Sequence, residues 1–382
     1  MSFVLLLACC SYLPAQLTTP AWLHLFCCLA TLRRCASGWS QGGDNITDLE
    51  AFDLIFACNQ IHTREQLKKL QSLTLEQKIQ AAKVRITEWY EHWQGKVYVS
   101  FSGGKDSTVL LDIARSIYPD IEAVFVDTGL EYPEIRRFVK QHENVTVLRP
   151  KMRFDEVIKK YGYPVIGKEV ANYAYEGRRQ LRNGITDSNT LKRLKGELLK
   201  PDGTKSEYNC EKYEFLLDAP FESSGYCCKI MKKQPFNAYS KETGKHGING
   251  TMTDESRLRV RKWLKHGCNA FDAKEPLGTP MAFWTEQDVL AYLKISKIPY
   301  CSVYGDIVAS DGECDYDNTL IPAKLHCTGC QRTGCMFCMF GVHLEKEPNR
   351  FQRMKITHPK QYDYCINNLG LGKVLDYIGV SY

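Results

Sequence analysis

The spacing of apolar residues in the first half of the chain predicts alternating strands and helices. Residues 96–101 form an apolar alternating run, typical of a buried strand, and residues 108–117 carry apolar side chains at helical spacing. Apolar runs at 121–126 and 145–149 predict two more strands, and Pro133 suits the first turn of a helix between them. This order predicts the α/β class, with a parallel twisted sheet flanked by helices and joined by right-handed crossovers.

A polar glycine turn separates the first predicted strand from its helix. Its residues are Ser102, Gly103, Gly104, Lys105, Asp106 and Ser107. A helix N-terminus carries partial positive charge and backbone donors, and glycines let an anion approach closely, so the turn predicts a phosphate site. The spacing differs from that of the G-x-x-x-x-G-K-[ST] loop. It resembles the PP-loop of ATP pyrophosphatases, which cut ATP between the α and β phosphates. The alternative is an ordinary Gly-Gly turn.

Composition and charge limit the classes of protein to consider. The chain has 382 residues, 44% of them hydrophobic and 25% charged, which suits one large or two medium globular domains. The net charge is +6, yet residues 149–200 alone contain thirteen Lys/Arg against six Asp/Glu. This excess of +7 predicts either a surface for a polyanion or a solvated helical face. No apolar stretch reaches the roughly 18 residues of a membrane span, so we expect no membrane partner.

The chain contains 17 cysteines, many for an enzyme of this size. It is too long for a small secreted disulfide scaffold, and nucleotide chemistry implies a reducing compartment. The cysteines therefore predict metal binding or redox chemistry in a cytoplasmic protein.

Several motifs in one order resemble the phosphoadenosine phosphosulfate (PAPS) reductase family, over roughly residues 90–345. They are the loop 102–107, Asp127-Thr128-Gly129, Tyr132-Pro133-Glu134, Cys227-Cys228, the segment from Gly250 to Arg257, Trp284-Thr285 and Ile298-Pro299-Tyr300. The resemblance implies an adenine nucleotide α-hydrolase-like, Rossmann-like fold. It implies that the loop binds nucleotide phosphates, that Asp127, Thr128 and Gly129 lie near the adenosine, and that Arg257 binds an anionic part of the substrate. The alternatives are a polar strand end for Asp127 and a surface ion pair for Arg257.

The cysteine pattern resembles the iron–sulfur motif of the adenylyl-sulfate-reducing branch of this family. The resemblance implies a [4Fe-4S] cluster held by four thiolates, those of Cys227, Cys228, Cys335 and Cys338. The alternative is structural zinc on two C-x-x-C pairs, Cys327/Cys330 and Cys335/Cys338. A third interpretation is a set of buried, reduced thiols.

Two departures from the family pattern bear on the reaction. Reductases carry a C-terminal Glu-Cys-Gly-(Leu/Ile)-His whose cysteine attacks sulfur, whereas this chain has Phe340-Gly-Val-His343, and Cys365 stands in a different context. The intact SGGKDS loop favours ATP itself. We therefore expect ATP-dependent adenylation of a substrate for sulfur transfer, releasing pyrophosphate, with Mg²⁺ bound and with Lys105, Asp106 and Ser107 as the catalytic residues.

Other functions stay open at this point. One is an APS/PAPS reductase that produces sulfite with a thioredoxin-like electron donor and a relocated nucleophile, Cys365 or Cys330. Another is a non-catalytic nucleotide-binding redox sensor or partner of a nucleic-acid modification complex. For the adenylating enzyme, a nucleic acid is one class of acceptor, to which the basic residues 149–200 would contribute.

These motifs divide the chain into regions. We expect a poorly ordered extension at 1–45, with a weak signal or anchor as the alternative, and a helical lead-in at 46–94. The nucleotide-binding catalytic domain covers 95–300 with a polar insertion at 184–217, and a cysteine-rich C-terminal tail covers 301–382.

Overall fold

The computed structural model describes residues 62–310 and 324–382. The expected extension at 1–45 and the first part of the expected lead-in, 46–61, lie outside the described residues. The rest of the lead-in forms α1 (Arg64–Gln71) and α2 (Leu75–His92), each beginning at a threonine cap. In both caps the threonine hydroxyl accepts from the backbone N–H three residues on, which fixes where the helix begins.

A six-stranded sheet has the order β3-β2-β1-β5-β7-β6. Its strands are β1 (Val97–Ser100), β2 (Glu122–Val126), β3 (Val145–Leu148), β5 (His246–Ile248), β6 (Asn269–Ala270) and β7 (Leu277–Gly278). β1 runs parallel to β2 and to β5, so that Val99 lies opposite both Ala123 and Ile248. β5 and β7 are also parallel, and β6 is antiparallel. The predicted α/β class with a mostly parallel sheet is confirmed.

Two small sheets complete the strands of the described residues. β4 (Val165–Ile166) pairs in parallel with β10 (Met339–Phe340). β8 (Ile307–Ala309) and β9 (Leu325–Cys327) form an antiparallel pair, with Ile307 opposite Cys327.

Helices follow most of the strands. They are α3 (Lys105–Arg115), α4 (Pro133–Val139), α5 (Phe154–Tyr161), α6 (Lys168–Arg182), α7 (Asn189–Lys195), α8 (Tyr226–Cys228), α9 (Gln234–Thr243), α10 (Arg257–His266), α11 (Glu286–Ser296), α12 (Arg350–Thr357), α13 (Pro359–Asp363) and α14 (Leu371–Tyr377). Pro133 is the first residue of α4, as predicted. The polar insertion at 184–217 contains α7 and a 3₁₀ helix, Glu211–Leu217. Among the described residues, no helix combines the length and the apolar character needed to cross a bilayer.

The chain divides into two compact units, and each has its own core. The first contains the described residues up to Phe125, Arg137–Thr146, and the described part of Ser240–Gln331. Trp89, Phe101, Ile113 and Trp284 are fully buried within it. The second contains Val126–Arg136, Val147–Tyr239 and Arg332–Tyr382. Its core includes the fully buried side chains Val157, Val165, Met339, Phe351 and Leu375.

Candidate functional site

The predicted phosphate loop joins β1 to α3 in the first unit. Helix α3 begins at Lys105 with Gly104 as its N-cap, so the loop ends at a helix N-terminus. Gly103 has a φ of +70°, a left-handed conformation in which a side chain would be strained. The glycine turn therefore has the backbone shape that the sequence predicts.

Two serines of the loop hold it in shape. Ser107 Oγ donates to the carbonyl of Gly104 at 2.9 Å and accepts from the backbone N–H of Ser102 at 3.1 Å. The two serine hydroxyls also lie 3.0 Å apart. Ser102 is exposed, Asp106 is half-buried, and the other residues of the loop are buried. The loop is thus held in one conformation by its own hydrogen bonds, and the backbone N–H of Gly104 also donates to Ser102 Oγ at 3.3 Å.

Lys105 is the charged centre of the loop, and its side chain is only 5% exposed. Its ammonium donates to Glu286 Oε1 at 2.5 Å and to the carbonyl of Gln331 at 2.6 Å. Its backbone N–H donates to the Tyr304 hydroxyl at 3.2 Å, and the ammonium lies 5.7 Å from the centre of that ring. Glu286 and Gln331 were not identified from the sequence, because nothing local marks residues that meet Lys105 across the fold.

The segment after β5 packs behind the loop. A Cβ at Gly250 would lie 3.0 Å from the carbonyl oxygen of Asp106, closer than ordinary contacts allow. Gly250 therefore favours the close approach of this segment to the loop, since a side chain there would force one of them to shift.

Asp127, Thr128 and Gly129 follow β2 and belong to the second unit. Thr128 Oγ1 donates to Glu131 at 2.6 Å, and Asp127 accepts from the backbone N–H of Gly129 at 3.2 Å and from Arg136 at 2.7 Å. Gly129 has a φ of +76°. The segment is an ordered turn with its carboxylate already paired, and its position near an adenosine stays a prediction.

Four cysteines of the second unit lie near one another: Cys227, which is buried, and Cys228, Cys335 and Cys338, which are half-buried. Cys227 donates a hydrogen bond to Cys228, which raises the pKa of Cys227 and lowers the pKa of Cys228. Burial raises the pKa of Cys335 to about 12 and also raises the pKa of Cys338. Each thiol interacts with at least one other of the set, so the four cysteines are neighbours in the fold, and their role as cluster ligands stays a prediction.

Lys232 lies beside these thiols. The charge of Cys335 is the main cause that raises the pKa of Lys232, and burial acts in the opposite direction, toward a lower pKa. It stands on the π-helix Lys229–Lys233 that follows α8, one turn after Cys228. The sequence showed a basic helix after the double cysteine but not which lysine turns inward.

Within residues 62–310 and 324–382, no three His, Cys, Asp or Glu side chains are placed to hold one metal ion. The cluster on these four cysteines and the zinc site on the two C-x-x-C pairs both stay predictions. The second C-x-x-C pair, Cys327 and Cys330, belongs to the first unit.

Arg257 is exposed at the start of α10. Arg259 and Lys262, one turn apart on the same helix, line a small cavity together with Thr251 and Thr253. Arg259 pairs with Glu255. The role of Arg257 and the basic groups near it toward an anionic part of the substrate stays a prediction.

Part of the local positive charge at 149–200 is paired within the second unit. Arg178 and Arg182 approach Glu222, Arg179 pairs with Glu176, and Lys192 pairs with Asp187. These four are a minority of the thirteen Lys/Arg of the segment, so the surface for a polyanion and the solvated helical face both stay predictions.

Comparison with protein families gives a match to the phosphoadenosine phosphosulfate reductase domain over residues 96–194 and 192–340. The matched residues make up more than half of the chain. The chain belongs to the PAPS reductase family. The predicted resemblance is therefore confirmed, and the match extends over the loop and all four candidate cluster cysteines.

Relatives of this PAPS reductase family protein include named reductases. It is 24% identical to adenosine 5'-phosphosulfate reductase of Staphylococcus haemolyticus, over 59% of this chain and 73% of that protein. It is 23% identical to the corresponding reductase of Pseudomonas aeruginosa, over 56% and 64%. An uncharacterized protein of Methanocaldococcus jannaschii is 39% identical over 21% of each chain. The chain thus spans about a fifth of the length of that last relative.

Similarity to a solved structure is weak for the length over which the two chains overlap. The FMN adenylyltransferase of Candida glabrata is similar with a TM-score of 0.32 and 13% identity, over 66% of this chain and 65% of that one. So low a score adds nothing to the description of the fold given above.

Proposed function

We propose that this PAPS reductase family protein binds ATP through residues 102–107 and transfers its adenylyl group to an acceptor, releasing pyrophosphate. The observation that carries the proposal is the buried Lys105 ammonium at the end of a glycine loop held by its own hydrogen bonds. A loop of this shape binds phosphoryl oxygens with backbone N–H groups, and a lysine beside it adds a full charge.

The charges around the loop support a polyphosphate ligand. Lys105 pairs with a single carboxylate, that of Glu286, and the γ-to-α phosphates of ATP offer a stronger anionic partner. On binding, the ammonium would exchange Glu286 for phosphate oxygens and stabilise the charge that develops on the leaving pyrophosphate. Asp106 is half-buried in the loop and is the carboxylate available within it to hold Mg²⁺.

We further propose that Cys227, Cys228, Cys335 and Cys338 hold a [4Fe-4S] cluster. The support is the closeness of the four thiols to one another and the positive charge of Lys232 beside them. Such a cluster would supply electrons or bind sulfur in the sulfur-transfer half of the reaction. The protein's own part is to exclude water around the thiolates and to balance their charge.

Sulfonucleotide reduction is the second candidate, since two relatives are named adenosine 5'-phosphosulfate reductases. It needs a thiol nucleophile. Cys365 is fully buried and burial raises its pKa to about 12, which makes it unsuited to attack. Cys330 is half-buried and is the better candidate of the two named from the sequence. Sulfite release from adenylyl sulfate that depends on Cys330 would favour this function over adenylation.

Pyrophosphate release tests the leading proposal. The full chain, purified without oxygen, is incubated with ATP, Mg²⁺ and candidate acceptors, tRNA among them. We expect release that Lys105→Ala abolishes and that Lys96→Ala, a change of an exposed lysine before β1, leaves intact. Equal release from wild type and Lys105→Ala would overturn the assignment of the loop.

A further inference from the structure

Cys327 and Cys330 are a second cysteine pair, in the first unit, outside the set assigned to the cluster. Cys327 ends β9 opposite Ile307. Cys330 donates its backbone N–H to the carbonyl of Val303 at 2.9 Å, and Gly329 donates to that of Tyr304 at 2.8 Å. Both cysteines are therefore fixed against the same short segment, 303–307.

The turn between the two cysteines is tightly packed. A Cβ at Gly329 would lie 2.5 Å from the carbonyl oxygen of Val303, and a Cβ at Gly305 would collide with Thr328 Oγ1. Gly305 also has a φ of +65°. Neither glycine tolerates a side chain, so the turn 327–330 is closely packed against residues 303–305. The two cysteines are the first and last residues of this turn.

Residues at both sides of this turn contact the phosphate-loop lysine. The Tyr304 hydroxyl accepts from the backbone N–H of Lys105, and the Gln331 carbonyl accepts from its ammonium at 2.6 Å. The Gln331 side chain in turn donates to the carbonyl of Cys327. Gln331 thus connects the cysteine turn directly to Lys105.

We propose that Cys327 and Cys330 are a redox-active dithiol that forms a reversible disulfide. Its formation weakens the hydrogen bond that the Gln331 carbonyl accepts from the Lys105 ammonium. The disulfide itself is independent of the proposed function; its consequence for ATP binding rests on that function. The oxidant is a low-molecular-weight disulfide such as oxidised glutathione. Two thiols lose two electrons and two protons, and the glutathione disulfide is reduced to two glutathione thiols.

The exposures of the two cysteines set the order of the steps. Cys330 is half-buried, whereas Cys327 is only 2% exposed. Cys330 attacks the glutathione disulfide, and one glutathione thiol leaves. The Cys327 sulfur then attacks Cys330 Sγ, the mixed disulfide breaks, and the second glutathione leaves as a thiol.

The effect on Lys105 follows from disulfide geometry. A disulfide brings two Cβ atoms to about 3.5–4.5 Å and fixes the torsion between the sulfurs, so residues 327–330 must adjust. Gln331 follows directly, and its carbonyl moves with them. Lys105 then loses one of the two acceptors of its ammonium, and the amine becomes more accessible to phosphate and to reagents.

The test compares two samples of the full chain. One is kept reduced under anaerobic conditions, and the other is treated with oxidised glutathione. Mass spectrometry of proteolytic peptides maps the linkage, and acetylation by an N-hydroxysuccinimide ester measures the reactivity of the Lys105 amine. We expect a Cys327–Cys330 linkage that dithiothreitol reverses, and an acetylation rate that rises about threefold to tenfold on oxidation.

Matched variants separate this effect from damage to other cysteines. Cys330→Ser and Cys327→Ser should show no rise in Lys105 acetylation under the same treatment. Absence of the linkage, an unchanged acetylation rate, or a rise that persists in both variants would each overturn the proposal. The proposed function fails on a different result, since it requires ATP to bind the reduced protein whatever the dithiol does.

Discussion

The ammonium of Lys105 and the carboxylate of Glu286 lie 2.5 Å apart, with the lysine side chain 5% and the glutamate side chain 35% exposed. The two residues are separated by 181 positions in the chain and meet where α3 and α11 begin. The cation of the phosphate loop is therefore neutralised before any ligand arrives. Under the proposed function, a polyphosphate would have to displace Glu286 to reach this cation, so the pair would oppose binding.

Replacing Glu286 by glutamine tests that competition. Glu286→Gln removes the charge but keeps the size of the side chain, and we expect the Kd of a non-hydrolysable ATP analogue to fall about threefold to tenfold, a modest change because the carboxylate is partly exposed. Titration calorimetry measures it. Glu242→Gln, an exposed change in α9, is the control and should leave the Kd unaltered. Weaker binding by Glu286→Gln would show that the glutamate assists the ligand.

A methyl group behind the loop should disturb it. In Gly250→Ala the new Cβ meets the Asp106 carbonyl at 3.0 Å, so the loop or the segment after β5 must shift by a few tenths of an ångström. We expect ATP-analogue affinity to drop several-fold, with a stability loss of about 1 kcal/mol. Gly167→Ala meets nothing within 4 Å and serves as the control. Unchanged affinity in Gly250→Ala would mean that the loop shape does not limit binding.

Metal content distinguishes the two cysteine assignments. If a cluster is held by the four cysteines of the second unit, Cys227→Ser loses most of its iron while Cys327→Ser keeps it. Structural zinc on the two C-x-x-C pairs predicts the reverse, with zinc lost in Cys327→Ser and retained in Cys227→Ser. Iron and zinc analysis of anaerobically purified protein gives the answer, and Cys268→Ser controls for the loss of any buried thiol.

Stability should decrease as the pH falls through the range in which histidine titrates. Burial, and then the charge of His92, lower the pKa of His246 below its ordinary value of 6.5. The unfolded chain then binds the proton more readily, so the stabilisation is present above about pH 6.5 and is lost as the pH falls. We expect the Tm to fall by a few degrees from about pH 7.5 to about pH 5.5.

His246→Phe isolates this contribution. The ring of His246 stacks on Trp93 with centroids 3.4 Å apart, and phenylalanine keeps a ring there without a titrating group. The variant should show a smaller decrease in Tm over the same pH range, measured by circular dichroism. His62, His266 and His343 also have lowered pKa values and contribute to the remaining slope. An identical slope in the variant would contradict the assignment to His246.

Local patterns in the sequence predicted most of the elements around the loop. The alternating run at 96–101 became β1, as predicted, and α11 begins at the capping box that Thr285 forms with Asp288. Such signals are local, because strand alternation and helix caps depend on residues a few positions apart. The loop itself was identified for the same reason, since all six of its residues are adjacent.

Contacts between distant segments were beyond the reach of the sequence. Glu286 and Gln331 meet Lys105 only because the fold brings them together. The two C-x-x-C pairs stand four residues apart, yet Gln331 ends the first unit and Arg332 begins a segment of the second. Spacing alone could not assign the two pairs to different units. One zinc site with four cysteines and two separate cysteine sites would have the same sequence pattern.

Binding of a non-hydrolysable ATP analogue to the anaerobically purified full chain, followed by titration calorimetry, tests the central claim most directly. The account predicts one site per chain for wild type and an affinity weakened at least about tenfold in Lys105→Ala, with Lys96→Ala unchanged. Equal affinities for wild type and Lys105→Ala, or no binding by either, would contradict the claim that residues 102–107 bind the phosphates of an adenine nucleotide.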